Sequence, residues 1–275
     1  EVESVSVLKD AAAVALYGYK GVNGAILITT KRGKYNTREV TFTYDHVTNF
    51  QARRPKFVDA ATYAEAINEA RGYEGLSARY APEEVDAFRN GATGGGASRM
   101  YPYLYPNVNW MDETFKDTGI SNKYTIEFSG GGDKFRYYTM LGLLTDKGFV
   151  KSPNENDGYS TQNKYSRANL RTNLDIDLTS TTKLKLNLGT LSESSRPGES
   201  VDLWDMVYSL PAAAFPIRTE DGSWGGSTTW AGTMNPIAQS QGAAYSKGHT
   251  RNLYADLTLS QDLSGFVKGL GVNFR

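Results

Sequence analysis

Arg167-Ala168-Asn169-Leu170-Arg171-Thr172-Asn173-Leu174-Asp175-Ile176-Asp177-Leu178 is the stretch whose reading decides the fold. Its even positions are Ala, Leu, Thr, Leu, Ile and Leu; its odd positions are Arg, Asn, Arg, Asn, Asp and Asp. Successive side chains of a strand point to opposite faces, so the run predicts one long β-strand with an apolar face and a charged face. Leu184, Leu186 and Leu188 against Lys183, Lys185 and Asn187 repeat the theme. So do Leu253, Ala255, Leu257 and Leu259 against Asn252, Tyr254, Asp256 and Thr258. Tyr124-Thr125-Ile126-Glu127-Phe128, residues 135–144, Val40-Thr41-Phe42-Thr43-Tyr44 and Val272-Asn273-Phe274-Arg275 predict further strands.

The connections between these strands alternate in length. Gly130-Gly131-Gly132-Asp133, residues 179–182 and residues 262–269 are short, whereas 50–121, 148–164 and 191–251 are long. A bacterial outer-membrane barrel has this asymmetry, with short periplasmic turns and long extracellular loops. On alternation alone, a soluble all-β protein and a barrel wall stand equally open. Connections of this length are uncommon in compact soluble domains and are usually functional, which favours the barrel.

The first 34 residues read differently. Val2 to Leu8 predicts a strand, Asp10 suits a helix N-cap before Ala11 to Tyr17, and Gly18 sits where a helix C-terminal glycine belongs. Gly21 and Gly24 mark a turn before the apolar run Ala25-Ile26-Leu27-Ile28-Thr29-Thr30, a second strand. Lys31, Arg32, Gly33 and Lys34 close this strand, helix, strand unit.

Composition limits the function classes. With no Cys, the chain has neither a disulfide framework nor a thiolate metal site, and with His46 and His249 as its only histidines a His-rich metal site is not expected. Thirty basic and thirty acidic residues give no global charge to attract nucleic acid. No stretch approaches the roughly 20 apolar residues of a spanning helix. No signal peptide opens the chain, and both ends fall inside predicted strands, so the natural protein is expected to be longer on each side.

Few motifs invite a chemical reading. Gly18-x-x-Gly21-x-x-Gly24 lacks the Gly-Lys-Ser/Thr ending of a phosphate loop and the spacing of a dinucleotide fingerprint, and reads as tight turns. Lys9-Asp10 reads as a strand-to-helix junction. Asp175 and Asp177, about 7 Å apart on one strand face beside basic residues, read as a polar ladder in preference to paired catalytic carboxylates. No nucleophile, base and orienting group can be assembled from spacing, so an enzyme is not expected, and no cofactor is implied. The aromatic residues of the long connections are the candidate substrate contacts: Tyr101, Tyr103, Tyr105 and Trp110 in the first, and Trp224 and Trp230 in the third, which also holds Trp204. Rings offer large rigid contact area to sugar C–H surfaces and peptide side chains. The other reading is that they pack the connections together. Residues 201–210 and 60–71 predict two short helices there, expected to be structural.

The N-terminal residues carry a resemblance. Val2-Glu3-Ser4-Val5-Ser6-Val7-Leu8-Lys9-Asp10-Ala11-Ala12-Ala13-Val14-Ala15-Leu16-Tyr17-Gly18, followed by Gly21-Val22-Asn23-Gly24-Ala25-Ile26-Leu27-Ile28-Thr29-Thr30-Lys31-Arg32-Gly33, resembles the plug-end signature of SusC/RagA-type TonB-dependent outer-membrane transporters. The family's usual small residue after the first glycine is replaced by Tyr19, a departure that bears on local packing. Trp110-Met111-Asp112-Glu113-Thr114-Phe115, Ser129-Gly130-Gly131-Gly132-Asp133-Lys134-Phe135 and Tyr165-Ser166-Arg167-Ala168-Asn169-Leu170-Arg171-Thr172-Asn173 look like the same family. The likeness is weakest over 73–105 and 212–247.

The resemblance implies an all-β-dominated fold: a partial antiparallel transmembrane β-barrel wall with a small α/β plug fragment at its N-terminus. Residues 1–34 would be the C-terminal part of the plug and 35–275 the first roughly seven strands of a barrel of about 22. The implied activity is TonB-dependent import of an oligomeric nutrient, glycan or peptide, across the outer membrane of a Gram-negative bacterium. The implied partners are a SusD-like surface lipoprotein, the TonB complex through a segment absent from this sequence, and membrane lipid, with no nucleic acid. The alternative from another class is a soluble or surface-exposed β-rich carbohydrate-binding or adhesive module.

Overall fold

The computed structural model describes residues 1–9, 15, 18–90, 101–151, 162–196, 202–242 and 246–275. Two antiparallel sheets organise them. The small one pairs β1 (Val2–Leu8) with β2 (Ala25–Thr30). The large one has seven strands in sequential order: β3 (Arg38–Phe50), β4 (Thr118–Gly131), β5 (Phe135–Lys147), β6 (Lys164–Asp177), β7 (Thr182–Arg196), β8 (Gly248–Asp262) and β9 (Gly271–Phe274). Every predicted strand forms, and most run several residues further than their apolar alternation, because ladder hydrogen bonds continue where the side chains turn polar. The helix expected over Ala11–Tyr17 with its cap at Asp10 lies outside the described residues. Gly18 adopts φ +60° and opens a 3-10 turn, Gly18–Gly21.

The protein is thus mostly antiparallel sheet. The large sheet is open, with β3 and β9 at its edges. No described helix is long and apolar enough to cross a membrane.

Register fixes two opposite faces of the large sheet. Asp175 of β6 is opposite Arg136 of β5 and Lys185 of β7, while Leu174 is opposite Tyr137 and Leu186. Following the ladders outward, one face gathers Glu127, Tyr138, Arg171, Asn173, Asp175 and Asn187; we call it inner. The outer face holds Val40, Phe42, Ile126, Leu141, Leu170, Leu174, Ile176, Leu184, Leu186 and Leu257. All nine Asp and Glu residues of the large sheet, Glu39, Asp45, Glu127, Asp146, Asp175, Asp177, Glu193, Asp256 and Asp262, fall on the inner face by this register. Many outer side chains are exposed, among them Phe42 at 63% and Leu257 at 55%.

Short connections, 132–134, 178–181 and 263–270, lie at one end of the sheet; the long ones, 51–117, 148–163 and 197–247, lie at the other. Helices are built from the long connections: α1 (Ala60–Tyr73), α2 (Pro82–Asn90), α3 (Tyr101–Leu104), α4 (Trp110–Thr114), α5 (Leu203–Ser209) and α6 (Pro236–Gly242). Helices α1 and α5 match the two expected from sequence. Asp59 caps α1, its side chain accepting from the Thr62 N–H at 2.8 Å, and that bond lowers the Asp59 pKa. Asp202 caps α5 in the same way, accepting from the N–H groups of Trp204 and Asp205.

Candidate functional site

Two places carry functional geometry: the seam between the small sheet and the inner face, and the cluster formed by the long connections.

The seam is built by residues 31–35, which leave β2 and run along the inner face. Lys31 pairs with Glu127 of β4 at 3.1 Å, and the Tyr138 hydroxyl of β5 donates to the same carboxylate at 2.9 Å. Arg32 binds Asp175 at 2.5 Å and donates to Asn187 of β7 at 2.7 Å; Arg136 holds the other Asp175 oxygen at 2.8 Å. Asn173 donates to the Lys31 carbonyl at 2.7 Å and to the Thr30 hydroxyl at 3.0 Å. Tyr35 donates to Asp177 at 2.8 Å. Gly33 lies so close to the sheet backbone that a Cβ there would run into the carbonyl oxygens of Tyr137 and Gly130. A cavity of about 660 Å³ opens beside the seam, between Arg32, Arg171 and Asn187 on one side and Tyr254, Asp256 and Arg275 on the other. The charged face predicted along Arg167–Asp177 therefore meets the N-terminal unit. Lys31 and Arg32, which sequence marked only as a basic end to that unit, are the residues that bridge to it.

The long connections pack on one another. Trp110, Met111 and Phe115 from the first join Val207, Leu210, Phe215 and Ile237 from the third in one buried cluster, with Phe149 of the second packed against it. Backbone bonds stitch the same three segments: Val108 N–H to the Ala212 carbonyl at 3.0 Å, Lys116 N–H to Phe149 at 2.7 Å and Lys151 N–H to Thr114 at 2.9 Å. Asn235 is fully buried; it donates to the carbonyls of Ile217 and Gly225 and accepts from the N–H groups of Ile237 and Ala238, so one side chain ties a loop crossing to the start of α6. A second cluster packs α1 against α2 through Ala60, Ala64, Val85 and Phe88, with Tyr63, Tyr80 and Tyr105 at its margin.

The expected substrate rings divide accordingly. Trp110 lies in the buried cluster: it is 2% exposed, its ring meets Phe215 edge-on at 5.1 Å, and its Nε1 donates to the Pro211 carbonyl at 3.1 Å. Tyr105 leans edge-on against Phe88 at 5.4 Å, and Tyr103 is half-buried in α3. Tyr101 begins α3, with its side chain outside the described residues. Trp224 is half-buried with the Arg218 guanidinium 3.7 Å over its ring, and Trp230 is half-buried with Arg79 at 6.0 Å. Trp204 stacks on Phe115 at 4.1 Å. Sequence reasoning missed α2, α3, α4, α6 and the buried Asn235; an Asn immediately before Pro236 is the helix-start signal that would have found the last two. Among the described residues, no three His, Asp or Glu side chains gather to hold a metal.

No family model matches the chain. Among curated proteins, the TonB-dependent receptor P26 of Formosa agariphila is 28% identical over 243 residues, covering 86% of this chain and 21% of that protein. The TonB-dependent receptor P3 of the same organism is 30% identical over 195 residues, covering 68% of this chain and 15% of that protein. The TonB-dependent receptor SusC of Bacteroides thetaiotaomicron is 30% identical over 155 residues, covering 56% and 13%. The chain is a homologue of SusC/RagA-type TonB-dependent outer-membrane transporters. This SusC/RagA-type homologue spans 13–21% of the length of these curated relatives. Its fold is also that of part of a solved structure. The RagAB peptide importer in its closed-closed state matches 99% of this chain and 31% of its own, with a TM-score of 0.64 at 19% identity. The RagAB peptide transporter matches 94% and 30%, with a TM-score of 0.62 at 19% identity.

Proposed function

We propose that this SusC/RagA-type homologue supplies the end of a plug (residues 1–34) and the first seven strands of a transmembrane β-barrel (residues 35–275). In this reading the whole transporter imports an oligomeric nutrient, glycan or peptide, across the outer membrane of a Gram-negative bacterium. The observation that carries it is the sorting of the large sheet: nine carboxylates on the inner face, and on the outer face a band of leucines, isoleucines and aromatic residues. This is the division expected of a lipid-facing surface, which excludes negative charge while presenting large apolar side chains. The band also slides toward the short-connection end across the sheet. It runs over Val40–Tyr44 on β3 but over Leu253–Leu259 on β8, whereas the residue level with Tyr44 on β8 is Arg251. Strands inclined to a membrane plane produce that drift.

The mechanism that follows is mechanical. The small sheet, held to the inner wall by Lys31 and Arg32, belongs to an obstruction in the passage; the packed long connections form an extracellular collar around it; and energy delivered through TonB rearranges the obstruction after a substrate binds outside. A SusD-like surface lipoprotein covering the collar completes the proposed complex. Trp224, Trp230, Tyr103 and Tyr105 are the rings of this chain proposed to meet substrate.

Labelling tests the reading. The chain contains no Cys, so Leu257→Cys, Asn187→Cys and Ser227→Cys each add one thiol to it. In intact cells making the full-length transporter, a membrane-impermeant maleimide is expected to modify the Ser227 position only, and a lipid-soluble one the Leu257 position. Ready modification of the Leu257 position by the charged reagent would defeat the barrel reading.

A further inference from the structure

Beyond the apolar band, at the long-connection end of the outer face, stands a group of basic side chains. Lys147 and Lys164 are directly opposite one another in the β5–β6 ladder. His249 and Arg251 follow on β8, opposite Ser194 and Ser192 of β7. By register all four share the outer face, just past Leu143 on β5, Ala168 on β6 and Leu253 on β8. All four are exposed, and none forms an ion pair with a described residue.

Two facts make this arrangement more than a solvated margin. The strand acids all lie on the opposite face, so no strand carboxylate neutralises Lys147, Lys164 or Arg251. Lys147 and Lys164 are also cross-strand neighbours of like charge, a pairing that repels unless an anion lies between them. The inner face treats its cations differently: Arg32 and Arg136 converge on Asp175, and Lys31 meets Glu127. Long basic side chains at the edge of an apolar band can lay their stems on hydrocarbon and place their charge among phosphates, where charge-assisted hydrogen bonds are strong.

We propose that Lys147, Lys164, His249 and Arg251 form a binding margin for the phosphate groups of membrane-lipid headgroups, in the leaflet on the side of the long connections. This rests on the barrel reading given above. The occupant is lipid phosphate, because Lys147, Lys164 and Arg251 follow the edge of the apolar band across β5, β6 and β8 and do not line the described cavities of the inner face.

The test uses the full-length transporter in nanodiscs of phosphatidylcholine carrying traces of spin-labelled phosphatidic acid or spin-labelled phosphatidylcholine. The wild type is expected to immobilise the phosphate monoester lipid several-fold more than the zwitterionic one. The triple variant Lys147→Gln, Lys164→Gln, Arg251→Gln is expected to lose that preference, the double variant Lys147→Arg, Lys164→Arg to keep it, and Arg38→Gln, at the opposite margin of the outer face, to leave it intact. Equal preference in wild type and triple variant overturns the proposal, as does loss of preference in Arg38→Gln. Removal of the preference by millimolar inorganic phosphate assigns the site to a soluble anion and overturns it as well. Failure of the folded wild type to enter nanodiscs at all defeats the barrel reading, a result distinct from entry without lipid preference.

Discussion

Arg32 and Asp175 meet at 2.5 Å across the seam between the N-terminal unit and β6, and the Asp175 side chain is 8% exposed. Arg136 takes the second carboxylate oxygen, so one buried anion is shared by two guanidinium groups. Removing the anion leaves two partly exposed cations, 28% and 34% accessible, facing each other. Asp175→Asn is therefore expected to destabilise the seam by about 1–3 kcal/mol, because water screens part of their repulsion. Limited proteolysis of the full-length protein would then cut within residues 1–30 faster than in wild type. Arg32→Met, which leaves Asp175 paired with Arg136, is expected to have the smaller effect.

Trp110 and Trp224 should separate packing from recognition. Trp110→Ala empties a site in the buried cluster and leaves the Pro211 carbonyl without its donor, costing about 3–5 kcal/mol and reducing the folded amount. Trp224→Ala removes a half-buried ring and is expected to leave abundance near wild type. If Trp224 contacts substrate, affinity falls several-fold, as expected from the roughly 0.5–1.5 kcal/mol an aromatic contact adds beyond its area. Surface abundance and uptake measured side by side distinguish the two.

On the outer face, Leu174→Arg would put a charge at bilayer depth and is expected to cost about 2–4 kcal/mol, seen as less folded protein in the membrane fraction. Thr43→Arg, on the inner face and away from the seam, is the control. A polar lumen tolerates that charge, so the folded amount should fall less.

Asp59 gives a pH dependence. Its carboxylate accepts from the Thr62 N–H, which depresses its pKa in the folded state. The cap is thus fully stabilising above the ordinary carboxylate range and is lost as pH falls through the depressed folded value. Asp59→Ala should cost about 1 kcal/mol at neutral pH. Asp59→Asn keeps an acceptor that does not titrate, so its Thr62 amide should stay protected from hydrogen exchange at acidic pH where the wild-type amide loses protection.

The large sheet was legible because its information is local. Alternation along Arg167–Asp177 states both faces of β6 without reference to any other strand, and the short connections state which neighbours pair. The collar was not legible. Whether Trp110 binds sugar or fills a core depends on Phe215 and Pro211, about a hundred residues away, and no periodicity reports that. Helix α2, Pro82–Asn90, was missed because it is short and acidic at its start, and only Val85 and Phe88 join the cluster it shares with α1. At the seam, Lys31 and Arg32 were visible as charges, but their partners lie on strands far along the chain.

The alternation of short and long connections also sets an order of assembly. β4 with β5, β6 with β7, and β8 with β9 are hairpins closed by a few residues, the kind of contact that forms within microseconds and at little entropic cost. Joining one hairpin to the next means closing 148–163 or 197–247, and adding β3 means closing 51–117. The wall is thus expected to grow by whole hairpins, its three slow events each closing a segment that takes its place in the shared buried cluster. Substitutions in that cluster, remote from any strand, would then delay the joining of the strands themselves.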